Sequence, residues 1–244
     1  MNFLIGSKIT HLDSIDSTNN YTANLLKNGL VSHGQLIVTQ EQTSGRGQRG
    51  AEWHSSPGLN LTMSLFLKLD NLSVNHQFYL SKWTALVIFD YLKVIGIDAT
   101  IKWPNDIYVK DTKLAGVLIE SQLVKEQVKS VIIGIGLNVN QIDFGGLSAT
   151  SIKKELQRHT SIDEVIFGLM QGFNRRWNSI QYQLWDEMNR EYLNALYRFR
   201  QPHLYLIDGK QVVGEIVNVL ENGKLNLKIE EEFQEFDIKE IAFI

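Results

Sequence analysis

The chain has 244 residues, with 24 basic against 27 acidic side chains, a formal charge of −3 and no cysteine. That length holds one large domain, or an ordinary one with a small companion, and 43% apolar with 21% charged residues supplies a core and sets disorder aside. Lack of cysteine excludes disulfide scaffolds, thiolate zinc sites and cysteine nucleophiles, and the slight acidic excess argues against a dedicated nucleic-acid binder.

The start, Met1-Asn2-Phe3-Leu4-Ile5-Gly6-Ser7, has no basic region ahead of a long apolar stretch, so no signal peptide is expected. The most apolar runs, 84–89 and 131–135, fall far short of the ~20 residues that span a bilayer, and a cytoplasmic protein without membrane attachment is the expectation. Asp16-Ser17-Thr18-Asn19 places cap-type residues before Tyr21, Leu25 and Leu26, and Asn28-Gly29 ends the run, which predicts a short helix. Residues 35–41 read as a strand, and the glycine-rich stretch 42–58, without apolar period, reads as a long loop. Leu59, Leu61, Met63, Leu65 and Leu67 alternate with polar residues as a period-2 strand, and 76–95 is a well-buried helix. Short strands follow at 100–103, 107–110, 114–121 and 128–139; their two- to four-residue turns require antiparallel neighbours. Residues 161–197 read as helix in two pieces, and from Pro202 the pattern changes to short strands with Asp208-Gly209 and Asn222-Gly223 as hairpin turns. Few prolines interrupt the chain, and it has no internal repeat.

Gly45-Arg46-Gly47-Gln48-Arg49-Gly50 matches the dinucleotide fingerprint G-x-G-x-x-G, but a Rossmann loop must open a helix and this one leads to a strand. The physical reading is a loop whose glycines let backbone amides approach an anion, with Arg46 and Arg49 adding charge-assisted bonds; an exposed loop with two solvated arginines is equally compatible. In Lys102-Trp103-Pro104-Asn105-Asp106, Asp106 is either a Mg²⁺ or ribose ligand or an ordinary turn aspartate. Lys113, before Leu114-Ala115-Gly116, either reaches a buried anion beside the glycine or is a solvated turn lysine. Trp53 and Trp103 either stack on a purine or belong to core and rim. Gly134-Ile135-Gly136-Leu137-Asn138 puts small residues inside a strand, from close approach of a ligand or from tight packing. The six histidines never fall at metal-ligand spacing, and P-loop, zincin and nucleophile-elbow patterns are absent.

Five segments, taken in order, resemble the biotin protein ligases: Asp16-Ser17-Thr18-Asn19, Glu41-Gln42-Thr43-Ser44-Gly45-Arg46-Gly47, Lys102-Trp103-Pro104-Asn105-Asp106, Lys113-Leu114-Ala115-Gly116-Val117-Leu118-Ile119-Glu120 and Ile133-Gly134-Ile135-Gly136-Leu137-Asn138-Val139. The resemblance covers residues 16–139. It implies an α+β fold of the class II aminoacyl-tRNA synthetase and biotin synthetase type: a mixed or antiparallel sheet packed with helices over residues 1–199, and a small SH3-like β-barrel over residues 200–244. It also implies a two-step reaction on a biotin carboxyl carrier domain of a carboxylase, using biotin, ATP and Mg²⁺ and passing through biotinyl-5′-AMP.

Carried over by position, Ser17, Thr18 and Asn19 would meet the ureido end of biotin, with Gln42 beside them. Gly45, Arg46, Gly47 and Gln48 would fold over the ligand. Lys113, Arg46 and Asp106 would be the catalytic set, Lys113 pairing with the carboxylate and α-phosphate and Asp106 near Mg²⁺ or the attacking amine. Gly116 and the Gly136-Leu137 backbone would wall the ring and valeryl chain. Arg49, Trp53, Asn105 and Asn138 would serve the adenylate. Many family members carry arginine at the position of Gln48, so either Arg49 compensates or the loop holds the intermediate less tightly. A lipoate or octanoate ligase or transferase, sharing the fold and the lysine-to-adenylate logic, is the alternative. The DNA-reading module of repressor ligases is not expected, because Ser17 follows Met1 too closely; a homodimer through exposed strand edges stays open.

Overall fold

The protein is described here by a computed structural model covering residues 4–244, with the side chain of Arg49 outside the described residues. Seven strands form a mixed sheet in the order β1-β2-β3-β7-β6-β5-β4: β1 (Ile9–Ile15), β2 (Leu36–Gln42), β3 (Leu61–Ser73), β4 (Thr100–Lys102), β5 (Asp106–Val109), β6 (Thr112–Val124) and β7 (Gln127–Leu137). The turns between β4 and β7 make antiparallel neighbours as expected. The sheet is mixed because β1 and β2 pair in parallel, with helix α1 (Thr18–Lys27) on the connection between them. β1 escaped the sequence reading. It is an edge strand, and Ile-Thr-His-Leu-Asp-Ser-Ile shows no buried face to impose alternation.

Alternation along the three central strands creates two faces. Leu61, Met63, Leu65 and Leu67 of β3, Val117 of β6, and Ile133, Ile135 and Leu137 of β7 join the main core. Helix α2 (Phe78–Val94) covers that face and is buried on most sides, because α4 (Ile162–Gln181) and α5 (Trp185–Asn194) pack on it in turn. The intervening residues, Thr62, Ser64, Gly116, Glu120, Gly134 and Gly136, point to the opposite face, which α1 covers. There Val31, Phe66 and Ile132, with Leu25 and Leu26, form a small separate cluster. The second face is therefore polar and glycine-rich where α1 stops covering it, and that is where the site lies.

After α3 (Ile152–Leu156), α4 and α5, a five-stranded antiparallel sheet runs in the order β11-β10-β9-β8-β12, from β8 (Pro202–Ile207) and β9 (Lys210–Val219) to β10 (Leu225–Ile229), β11 (Glu232–Phe236) and β12 (Ile241–Phe243). It is an open sheet and not the expected closed barrel: among the described residues β11 and β12 are opposite edges with no pairing between them. Its apolar face does not need closure, since Tyr205, Ile216, Leu225 and Leu227 bury themselves in the same cluster as the main sheet. The C-terminal sheet is also tied to the rest of the chain by hydrogen bonds from Trp103 Nε1, just after β4, to the Gly223 carbonyl at 2.8 Å and from Lys82 Nζ of α2 to the Val219 carbonyl at 3.1 Å. No helix among the described residues is long and apolar enough to cross a membrane.

Candidate active site

Residues 43–57 are not a featureless loop. Trp53 N–H donates to the Gly45 carbonyl at 3.0 Å, Gly47 N–H to the Ala51 carbonyl at 2.7 Å, and Arg46 bridges Glu52, so residues 45–53 form a small hairpin tipped by a 3₁₀ turn at Gln48–Gly50. No helix follows, which disposes of the dinucleotide-fingerprint reading on structural grounds. The hairpin is fixed at its base by Thr43 N–H on the Ile15 carbonyl and Ser44 N–H on the Asp16 carbonyl, both at 2.9 Å. It lies over the glycine-rich face of the sheet and encloses a cavity of about 280 Å³.

A cluster of polar side chains makes one end of this cavity. Gln42 Oε1 accepts from Thr18 N–H at 2.8 Å and from Thr18 Oγ1 at 3.0 Å, which leaves its amide nitrogen free to donate. Ser64 Oγ lies 2.8 Å from Thr18 Oγ1 and donates to Asn19 Oδ1 at 2.6 Å. Ser17, the buried N-cap of α1, also lines the cavity, and its hydroxyl does not cap the helix. The cluster is close because Gly134 carries no side chain: a Cβ there would sit 2.5 Å from Asn19 Oδ1.

At the other end, Lys113 Nζ and Asp106 Oδ2 form an ion pair at 2.6 Å, and the Trp53 ring centroid is 5.8 Å from the same ammonium. Lys113 is held by its backbone, with N–H on the Ser148 carbonyl and its own carbonyl accepting from Thr150 N–H, each at 3.0 Å. Between the ends, Gly116 and Gly136 are directly paired across β6 and β7, and the Trp53 indole rests on them. A Cβ on Gly136 would overlap Trp53 Cε2, and one on Gly116 would lie 3.2 Å from both Lys113 Nζ and the indole. The indole N–H is buried without an acceptor among the described residues. A larger open groove, about 1000 Å³, continues beyond Trp53 between residues 42–57 and the segment 141–147.

The structure thus brings together Ser17, Thr18, Asn19, Gln42, Arg46, Gly47, Gln48, Trp53, Asn105, Asp106, Lys113, Gly116 and Gly136 around one cavity. Gly45 borders the adjoining groove, and its missing side chain lets the Trp53 carbonyl pass. Other expected residues sit differently. Leu137 is an odd-numbered residue of β7 and turns into the core, so only the glycine beside it faces the cavity. Asn138, 3% exposed, donates to the Thr150 carbonyl at 3.0 Å and borders neither the cavity nor the groove; it fastens residues 138–150 together. Asn105, 1% exposed, spends its amide N–H on the Val117 carbonyl at 2.8 Å. Lys102 and Trp103 turn away toward the C-terminal sheet, where Lys102 stands over Tyr108 and Phe243 and burial lowers its pKa. The Arg49 side chain lies outside the described residues.

Several site neighbours escaped sequence reasoning, and Ile238 and Glu120 are the most informative. Ile238, between β11 and β12, reaches the cavity from the C-terminal sheet, and no local pattern marks a contact made from so distant a segment. Glu120 was visible only as the last residue of the lysine-glycine block. Its carboxylate accepts from Arg46 Nη2 at 2.8 and 2.9 Å and from Asn19 Nδ2 at 2.7 Å.

Asp106 was expected near Mg²⁺ or the attacking amine. Among the described residues no three His, Asp or Glu side chains cluster as a metal site, and the Asp106 carboxylate already faces an ammonium. The donors do not fit a resident magnesium.

The model of the biotin/lipoate A/B protein ligase family matches residues 11–138, over half of the chain and the whole of the site except Ile238. The chain belongs to this family. Among curated relatives, the family member "bifunctional ligase/repressor" of Bacillus spizizenii is 39% identical over 139 residues, which cover 57% of this chain and 42% of that protein. The match therefore spans less than half the length of that relative. A biotin–[acetyl-CoA-carboxylase] ligase of Paracoccus denitrificans is 30% identical over 173 residues, covering 67% of this chain and 70% of that one. Among solved structures, the biotin protein ligase of Aquifex aeolicus in complex with biotin and ATP superposes with a TM-score of 0.79 at 26% identity, over 97% of this chain and 98% of the other.

Proposed function

We propose that this member of the family is an ATP-dependent biotin ligase, which makes biotinyl-5′-AMP and transfers the biotinyl group to one lysine of a carboxylase's biotin carboxyl carrier domain. One observation carries the reading. A single cavity has hydrogen-bonding groups for a ureido ring at one end, a side-chain-free floor in the middle and an ammonium at the other end. The distribution suits a ligand with a polar head, an apolar stem and an anionic tail.

In the first step a carboxylate oxygen of biotin attacks the α-phosphorus of ATP and pyrophosphate leaves. Two anions must approach each other, so the barrier falls chiefly by positioning and by positive charge near the phosphoryl oxygens. Lys113 supplies that charge from the cavity wall, near Trp53, which also lines the groove that would take the nucleotide. Trp53, between the two, offers its ring face to the base or the stem. Magnesium would arrive as the counter-ion of the nucleotide, with phosphate and water oxygens as its main ligands. In the second step the carrier lysine, as the free amine, attacks the acyl carbon, AMP departs and the amine proton is lost; Asp106, on the cavity wall beside Lys113, is the group assigned to accept it.

The decisive experiment incubates the chain with an apo-carrier fragment, ATP, Mg²⁺ and biotin, lipoate or octanoate in turn, and weighs the carrier. One biotinyl group on one lysine, with neither other acid added, is expected. Lipoyl or octanoyl transfer without biotinylation overturns the reading.

A further inference from the structure

Asp106 follows a turn whose three residues are each fastened to a different element. Trp103 Nε1 donates to the Gly223 carbonyl in the β9–β10 turn, the Tyr192 hydroxyl of α5 donates to the Pro104 carbonyl, and Asn105 Nδ2 donates to the Val117 carbonyl of β6, all at 2.8 Å. The turn needs outside support, because β4 and β5 are only three and four residues long and β4 is the edge of the sheet. The end of α5 supplies more of it: Ile101 N–H donates to the Ala195 carbonyl at 2.8 Å, and Tyr197 N–H to the Ile101 carbonyl at 2.9 Å.

Among the three anchors, Trp103 is a large core ring and Asn105 borders the cavity, whereas Tyr192 borders neither cavity nor groove. Its ring is fully buried, 6.4 Å from the Phe78 ring and 5.5 Å from the Lys82 ammonium. Burial, and after it the charge of Asp106, push the phenol far above its ordinary range, so it stays a neutral donor.

We propose that Tyr192 is a positioning residue for the ligation: through the Pro104 carbonyl it fixes the turn that brings Asp106 to Lys113. The proposal rests on the functional reading given above, since it gives Tyr192 a share in what Asp106 does. A turn free to shift carries the carboxylate off Lys113 Nζ, 2.6 Å away, and off the path of the carrier amine. The ureido end of the cavity, built from α1, β2 and β3, is left as it was. Loss of the bond therefore weakens transfer and spares biotin binding.

The test measures transfer to the apo-carrier fragment by full-length Tyr192→Phe, which keeps the ring and removes the hydroxyl, alone and combined with Asp106→Asn. Tyr192→Phe should lower kcat for transfer by about three- to tenfold, the worth of one hydrogen bond, with the KM for biotin unchanged. Beside Asp106→Asn the same substitution should cost less than about twofold, because the group it positions is gone. Tyr192→4-aminophenylalanine, which restores a donor, should recover part of the loss. Wild-type transfer by folded Tyr192→Phe, an equal loss in both backgrounds, or no recovery overturns the proposal. The carbon-13 resonance of the Asp106 carboxyl, identified by its absence in Asp106→Asn, gives a readout that needs no activity and should move in Tyr192→Phe. Should that variant not fold, the 4-aminophenylalanine chain, whose donor differs in length and strength, must move it instead. An unmoved resonance overturns the positioning by itself; a wild type that biotinylates no carrier overturns the functional reading.

Discussion

The ammonium of Lys113 lies 2.6 Å from Asp106 across the β5–β6 hairpin, at the end of the cavity farthest from Asn19. The pair aims the ammonium, and replacing either member has a distinct consequence. Lys113→Ala should remove about 10²-fold or more of adenylate formation, as loss of an electrostatic stabiliser does, while thermal unfolding stays close to wild type. Asp106→Asn should affect transfer to the carrier more than pyrophosphate release. Pyrophosphate release and carrier mass, followed in parallel, separate the two; undiminished pyrophosphate release by folded Lys113→Ala discards its assigned role.

Gly134 and Gly116 face the same cavity but differ in what a methyl group would meet. At Gly134 the obstacle is Asn19 Oδ1, fixed by Ser64 at 2.6 Å and by α1. At Gly116 it includes the mobile end of Lys113, 3.2 Å away. Gly134→Ala should raise the KM for biotin by about tenfold or more, the cost of one or two misplaced buried hydrogen bonds, and Gly116→Ala by less. Steady-state kinetics on the two variants, with melting curves as controls, tests the ranking.

Gln48 borders the cavity at the hairpin turn. A guanidinium would add a charge-assisted bond to the phosphate that an amide does not replace. Gln48→Arg should lower the free biotinyl-adenylate released per carrier modified, by about tenfold if one such bond forms. Equal leakage from both proteins removes the argument.

Lys82 is fully buried among the rings of Phe78, Tyr79 and Tyr192, bonded to Asn189 Oδ1 at 2.6 Å and to Val219 O, and burial lowers its pKa to about 8. Glu221 opposes that shift. Below pH 8 the lysine is protonated folded and unfolded. Between about 8 and 10.5 the folded protein releases a proton that the unfolded chain retains, so this group's contribution to stability rises with pH and levels off above. Relative to Lys82→Met, wild type should therefore gain stability from pH 7.5 to pH 10, by on the order of 3 kcal/mol at most. Denaturant melts at both pH values check the sign; a constant difference contradicts it.

Much of the site was legible before the fold. The five segments carry their own polar, cationic and glycine residues, and period-2 alternation in β3 and β7 puts Gly134 and Gly136 on the face opposite Leu61 and Met63. The same parity turns the Leu137 side chain into the core, so at that position only backbone is left to face the ligand. Asn138 and Asn105 show the other limit. An asparagine's type does not say whether its amide meets a ligand or a carbonyl, and here Thr150 and Val117 take them.

Sequence by itself determined the chemistry-bearing residue types, the central antiparallel strands and the change to short strands near residue 200, because these follow from local pattern. Tertiary structure decided what depends on distant partners: the parallel edge strand β1, the open C-terminal sheet sharing its core with the main one, Ile238 at the cavity, and Glu120 holding Arg46. Arg46 and Glu120 are 74 positions apart. Their meeting comes from the folding of the hairpin onto β6, which no spacing along the chain encodes.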